Sequence, residues 1–278
     1  MGVRTAMALR LIRHLGRLGL VGLSGWAAAA QPEPASEVLE DTWRLGAQGH
    51  FIEAAAALEG AATTEEETRF TRALLLFNRQ PRTEADLVAA VELLAALSKD
   101  GTTPALRARS LYFWARAETL RLREGSPAPA VRLYEQLWRE YPAQPYGQRA
   151  LVHLLLIALY ADESRATILA QAAQIERQAD GLTDPLVRSQ FHQVAARGYL
   201  HLGGAEPQAL EHLLAAHRLG VVRREAQGDL HVSIGLLAAA HGRPEVAREH
   251  YATFLREFPN DPRAFTVRAW LAALPPAR

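Results

Sequence analysis

The chain has 278 residues, 49% of them hydrophobic but only 7% aromatic, with a formal net charge of +1; this is enough apolar content for a substantial core and too much for a disordered chain. Arg4, Arg10, Arg13 and Arg17 stand in the first thirty residues without an acid, so the remainder carries 27 basic against 30 acidic side chains, a balance that argues against nucleic-acid binding. The absence of cysteine excludes disulfides, thiolate zinc sites, a cysteine nucleophile and a lipid-modified cysteine.

Ala and Leu dominate the apolar residues, and these cost least in a helix, whereas the sparse β-branched residues lose rotamer freedom there. Arg supplies nearly all the positive charge, with Lys99 the one lysine. A GC-rich genome accounts for that bias better than phosphate recognition does.

In chain order, residues 1–30 form the first element. A basic stretch precedes an uncharged run from Leu18 to Ala30 that ends in four alanines, the layout of a secretory signal peptide cleaved after Ala30. Its thirteen uncharged residues fall short of the ~20 needed to span hydrocarbon. No Arg-Arg pair precedes them, which favours the general secretory route. A retained anchor, or a start at Met7, leaves the expectation of export unchanged. Residues 31–35 are a short linker, and a periplasmic or secreted location is expected, with no stable membrane insertion after cleavage.

From residue 36 onward a pattern recurs: a helical run, a Gly, and an Ala five residues later. The pairs are Gly49 with Ala54, Gly125 with Ala130, Gly204 with Ala209 and Gly242 with Ala247, separated by 76, 79 and 38 residues. The two long gaps are twice the short one, which places a degenerate unit inside each, opened by Arg82-Thr83-Glu84 and by Ala161-Asp162-Glu163. Gly takes the turn conformation at little cost, and Ala permits a close helix crossing. The predicted helix pairs are 36–47 with 51–61, 65–79 with 83–98, 104–123 with 128–140, 145–160 with 163–178, 185–202 with 206–219 and 228–241 with 244–257. A closing helix, 262–274, presents Trp270 and Leu271 on one side and Arg263 and Arg268 among its polar positions. Asp184-Pro185 and Asp261-Pro262 read as caps, Thr64 with Glu67 as a capping-box spacing, and Pro142 and Pro259 as stops. Apolar stripes run through Ala130, Val131, Tyr134, Leu137, Trp138 and Tyr141, and through Val246, Ala247, Tyr251, Phe254, Leu255 and Phe258.

These residues resemble the tetratricopeptide repeat. In the third unit the likeness rests on Trp114, Gly125, Ala130, Tyr134 and Pro142. In the sixth it rests on Ile234, Gly235, Gly242, Ala247, Tyr251 and Pro259. The first unit contributes Gly49, Phe51 and Ala54, and the fifth contributes Gly204 and Ala209. The runs Tyr134 to Pro142 and Tyr251 to Pro262 are similar to repeats of bacterial cell-envelope proteins of the outer-membrane-assembly and Tol–Pal-associated kind. The resemblance implies an all-α, right-handed α-solenoid over residues 36–275, about six hairpins plus a capping helix, that binds a protein or peptide on its concave face. By register, the groove candidates are Trp43, Tyr112, Thr119, Phe191 and His201, although Trp43, Tyr112 and Phe191 read more readily as core. Leu39, Trp43, Ala115, Thr119, Val232 and Leu236 stand where carboxylate-gripping relatives place Lys and Asn, which favours an apolar groove.

Chemistry is sparse. His212 and His217 are five residues apart and fall on different helical faces. The pairs His192 with His201 and His241 with His250, nine apart, read as surface or partly buried histidines rather than metal ligands. No nucleophile elbow follows a strand, no phosphate-cradling loop is present, and Glu65-Glu66-Glu67 reads as a helix N-terminus. The expected function is that of a non-enzymatic, cofactor-free interaction scaffold. The alternatives are a helical enzyme acting on cell-wall material and a structural accessory subunit.

Overall fold

The computed structural model describes residues 37–120, 126–161, 163–220 and 224–276. The signal peptide, the linker 31–35, Gly125 and Asp162 therefore lie outside the described residues. Among those residues there are thirteen α-helices and no strand: α1 Glu37–Ala47, α2 Phe51–Glu59, α3 Glu65–Asn78, α4 Glu84–Asp100, α5 Pro104–Leu120, α6 Ala128–Glu140, α7 Pro145–Leu159, α8 Arg165–Glu176, α9 Pro185–Leu202, α10 Glu206–Leu219, α11 Arg224–Ala240, α12 Pro244–Glu257 and α13 Ala264–Ala272. A single 3-10 turn, Ala179–Gly181, follows α8. The protein is all-α, and α1 with α2, α3 with α4, α5 with α6, α9 with α10 and α11 with α12 pair as hairpins expected from the repeat.

The helices form two compact units, divided within α7 between Leu154 and Leu155. In the first, α1 packs on α2, α2 on α3, and so on to α6; in the second, α9 to α13 pack in the same sequential way. The Gly–Ala signature explains the hairpins. Gly49, Gly204 and Gly242 have positive φ values of 84°, 65° and 72°, a region closed to most side chains. Beyond Gly49, His50 N donates to Leu45 O at 2.9 Å, and beyond Gly242, Arg243 N donates to Ala238 O at 2.8 Å, the six-to-one bond that satisfies a frayed carbonyl. Ala54, Ala130, Ala209 and Ala247 are all 0% exposed. The close approach is two-sided: a Cβ built on Gly235 of α11 would lie 2.3 Å from the Tyr251 ring of α12.

Side-chain caps set the starts of α3, α4, α8 and α9. Asp184 Oδ1 accepts from Leu186 N at 2.8 Å and from Val187 N at 3.4 Å. Thr83 and Asp86 form a reciprocal capping box at the start of α4. Thr64 Oγ1 accepts from Glu67 N at 3.2 Å, while the Glu67 carboxylate engages Arg109 of α5 and Glu66 accepts from both Thr102 N and Thr102 Oγ1. The acidic run therefore does more than favour a helix N-terminus, because it also ties α3 to the next hairpin. Partly exposed ion pairs contribute about 1 kcal/mol or less, against roughly 1.5–3 kcal/mol for each large apolar side chain buried, so the stacking is apolar.

Three helix starts differ from expectation by two residues or more. Helix α11 begins at Arg224, four residues before 228; Gly228 lies inside it, where a Cβ would meet Arg263, Phe254 and Phe258 at ordinary contact distances of 3.4, 3.5 and 3.6 Å. Helix α8 begins at Arg165, since Ser164 rather than the preceding acidic step supplies the cap, its Oγ accepting from Thr167 N at 3.2 Å. Helix α13 begins at Ala264 because Asp261 Oδ1 takes Arg263 N at 2.8 Å and Ala264 N bonds Asp261 O in a tight first turn. Its buried edge is Ala264 and Val267, with Trp270 and Leu271 half-buried and Phe265 80% exposed.

The crossing yields a test. Ala247→Trp forces a large ring into a fully buried contact, and overpacking of this kind costs ~1–3 kcal/mol. The melting temperature of the variant is expected to fall, and an unchanged value would show that Ala247 does not lie at the crossing.

Candidate functional site

The residue type that converges most is histidine. Helix α9 carries His192 and Tyr199, α10 carries His212 and His217, α11 carries His231, and α12 carries His250. His231 and His250 are 5% and 3% exposed, with their Nδ1 atoms 3.0 Å apart. His217, in the last turn of α10, completes a triangle of rings, with centroids 5.0 Å from His231 and 4.8 Å from His250, while those two are 5.0 Å from each other. The three rings line a cleft of about 370 Å³ together with Gln227, Glu249, Arg256 and Glu257. Among the described residues no three His, Cys, Asp or Glu side chains are placed to hold a metal ion as they stand.

The preceding hairpin holds a related cluster. His192 Nδ1 lies 2.9 Å from His212 Nδ1, His212 Nε2 lies 3.3 Å from Glu176 Oε1, and Tyr199 OH donates to the same oxygen at 2.5 Å. Burial works against ionisation of Glu176, but the hydrogen bonds from His212 and Tyr199 outweigh it and hold the carboxyl below its usual range. His212 thereby bridges His192 through Nδ1 and Glu176 through Nε2. Such a bridge fastens α8, α9 and α10 together.

Desolvation sets the protonation of these rings. Burial, then the neighbouring charges of His212, Arg188 and Arg218, push His192 down to about 4, with Glu176 opposing them. Burial, then His217 and His231, push His250 down to about 4. Burial, then His217, also lowers His231. In the first unit, His153 of α7 stacks on Tyr134 at 4.8 Å and pairs with Tyr112 OH at 3.0 Å. Burial, then Arg116 and Arg149, hold it at about 3.

Nine-residue spacing does not identify the partners. His192 pairs with His212 rather than His201, and His250 pairs with His231 rather than His241. His250 belongs to the core, not the surface. The signal lies in the repeat period instead: His192 and His231 are 39 residues apart, and His212 and His250 are 38 apart. His212 and His217 do face different neighbours, as their spacing requires.

The groove candidates are scattered. Phe191 is 0% and Tyr112 7% exposed, so both belong to the core reading rather than to a groove. Trp43 is half-buried against the Leu39, Ala54, Leu58 and Leu75 cluster. Thr119 is half-buried, its Oγ1 donating to Ala115 O at 2.9 Å. His201 is exposed and stacks on Tyr160 at 5.0 Å. Leu39, Ala115, Val232 and Leu236, expected to line an apolar groove, are core residues at 0–6% exposure. The first helices of the hairpins are packed on more than one side, which takes these positions from solvent. No helix among the described residues is long and apolar enough to cross a membrane.

The histidines predict an acid response. The unfolded chain takes up these protons near pH 6.5, whereas folded His192 and His250 do so near pH 4 and His153 near pH 3. The unfolded state therefore binds more protons between those limits, and stability falls as pH falls from 6.5 towards 4. Thermal melts from pH 7.5 to 4.5 should show this decline, with a shallower slope for His192→Gln. A flat profile down to pH 5 would contradict the neutral, buried assignment.

No family model matches the chain, and no curated protein matches it. Among solved structures it is similar to a thermophilic TPR protein from Thermus thermophilus, at 21% identity over 75% of this chain and 97% of that one, with a TM-score of 0.41. At that level of superposition the all-α hairpin description stands on the helices of this chain alone.

Proposed function

We propose that the chain is an exported, non-enzymatic scaffold of the bacterial cell envelope that binds segments of partner proteins, periplasmic or secreted after cleavage of residues 1–30. Support for the binding role comes from the repeat. Hairpins added in equal steps extend one surface by equal steps, and such surfaces suit extended protein segments. The observation that carries the reading is the Tyr160–His201 stack: Tyr160 is 44% exposed and His201 exposed, and a solvent-facing aromatic pair on a helical edge has the composition that protein interfaces favour. Trp43 and Thr119, half-buried, retain a face for contact. The sequence likeness to outer-membrane-assembly and Tol–Pal-associated repeats supplies the envelope setting, and the leader-like residues 1–30 supply the route.

Two experiments test the reading separately. Wild type and the paired variant Tyr160→Ala/His201→Asp are used to recover partners from envelope extract under matched conditions; the reading expects a protein retained by wild type and lost from the variant, and identical recovery by both would refute it. Expression in a bacterial host followed by fractionation and N-terminal sequencing is expected to give a periplasmic or secreted chain beginning at Gln31. A cytoplasmic chain retaining residues 1–30 would refute export.

A further inference from the structure

We propose that Arg116 and Arg149, where α5 meets α7, dock an acidic stretch of a partner protein through its Asp or Glu side chains. This gives the first unit an occupant of defined chemistry, and it rests on the scaffold reading for that occupant being a protein. Arg109, Phe113 and Arg116 are four and three residues apart on α5 and so share one side of the helix. On that side the aromatic rings form a continuous lattice. Phe113 lies 5.9 Å from Phe70 and 6.1 Å from Phe77 of α3, and 5.9 Å from Tyr146 of α7. The arginines are laid over it: Arg109 is 4.2 Å from the Phe70 centroid, Arg116 5.4 Å from Phe77 and 5.8 Å from Phe113, and Arg149 5.3 Å from Tyr146. A ring face attracts the cation and holds it in place.

What differs among these arginines is the charge that answers them. Arg109 is paired with Glu67. Arg116 is half-buried and makes no hydrogen bond or ion pair among the described residues; its contacts are the two phenylalanine rings. Glu118 is the one acid of α5. It stands two positions beyond Arg116, a step that turns it to the other side of the helix, where it accepts from Trp114 Nε1 at 3.3 Å. Helix α7 carries Arg149 and no acid. The positive charges of Arg116 and Arg149 both bear on Tyr112 and on His153, so they converge on one place from two helices.

A carboxylate is the anion that fits. The Arg116 guanidinium can offer it two parallel N–H donors, and the surrounding rings keep water from competing for them. Nucleic acid is the poorer match. The residues after 30 carry 27 basic against 30 acidic side chains, whereas a phosphate backbone is tracked by an extended basic surface.

The probe is hexaglutamate labelled with rhodamine at its N-terminus and amidated at its C-terminus, so that only side-chain carboxylates are offered. Its binding to the full chain is read by fluorescence anisotropy. Wild type is expected to bind at low salt and to release the peptide as salt rises. Arg116→Gln should weaken binding at least about fivefold, while Arg268→Gln, which removes the same charge from an exposed position on α13, should leave it within a factor of about two. Far-UV circular dichroism checks that the helices persist; if Arg116→Gln does not fold, Arg149→Gln, with the same expected weakening, decides. No binding by wild type would overturn the proposal, and so would equal weakening by Arg268→Gln. A duplex oligonucleotide held more tightly than hexaglutamate, and released by Arg116→Gln, would overturn it in favour of nucleic acid. The Tyr160→Ala/His201→Asp variant should bind hexaglutamate as wild type does, so failure of this surface and failure of that edge are told apart.

Discussion

Everything in this fold depends on how closely antiparallel helices approach at their small residues. Ala54, Ala130, Ala209 and Ala247 are shut off from solvent, and Gly235 lies flat against the Tyr251 ring, with no room for a Cβ. A larger residue at either place pushes the helices apart and exposes apolar area on both sides. The histidine contact follows from the same approach. His231 is one turn before Gly235, and His250 immediately precedes Tyr251, so the crossing that seats the tyrosine also presses the two imidazoles together. A similar close approach joins α9 to α7, where a Cβ on Gly198 would fall 2.5 Å from Leu159.

Polar groups refine this arrangement and do not create it. The links Glu66–Thr102, Glu67–Arg109 and Arg243–Glu211 each join one hairpin to the next. They lie at half-exposed edges, where water and salt weaken them. Their role is register: a carboxylate that must meet a partner about one repeat away rejects a slipped stack. The buried histidine pairs are different, because water is excluded there and an unmatched proton is costly. That is why burial heads the causes that lower the pKa of each of His153, His192, His231 and His250.

The hairpin plan was legible in the sequence because its signals are local. Turn glycines, first-turn prolines and side-chain caps act within four residues, and α6, α9, α10 and α12 have the expected ends. Where a glycine lies inside a helix instead of turning, as Gly228 does, local reading starts the helix too late. The site was less legible. Tyr112 and Phe191 sit on first helices, and only neighbouring helices decide whether such a face meets solvent or core. Pairing of His231 with His250 required superposing one repeat on the next, since nothing in either helix alone marks the ring that will face it. The exposed Tyr160 beside His201 likewise belongs to a helix end 41 residues away.

The central claim is that small residues at the crossing are complementary to specific large ones, and a double-mutant cycle between Gly235 and Tyr251 tests it most directly. Unfolding free energies are measured for wild type, Gly235→Ala, Tyr251→Leu and the double variant. If the close approach holds, Gly235→Ala is strongly destabilising when Tyr251 is intact and nearly harmless in the Tyr251→Leu background, a coupling of roughly 0.5–3 kcal/mol. Additive effects, with Gly235→Ala costing the same in both backgrounds, would contradict it.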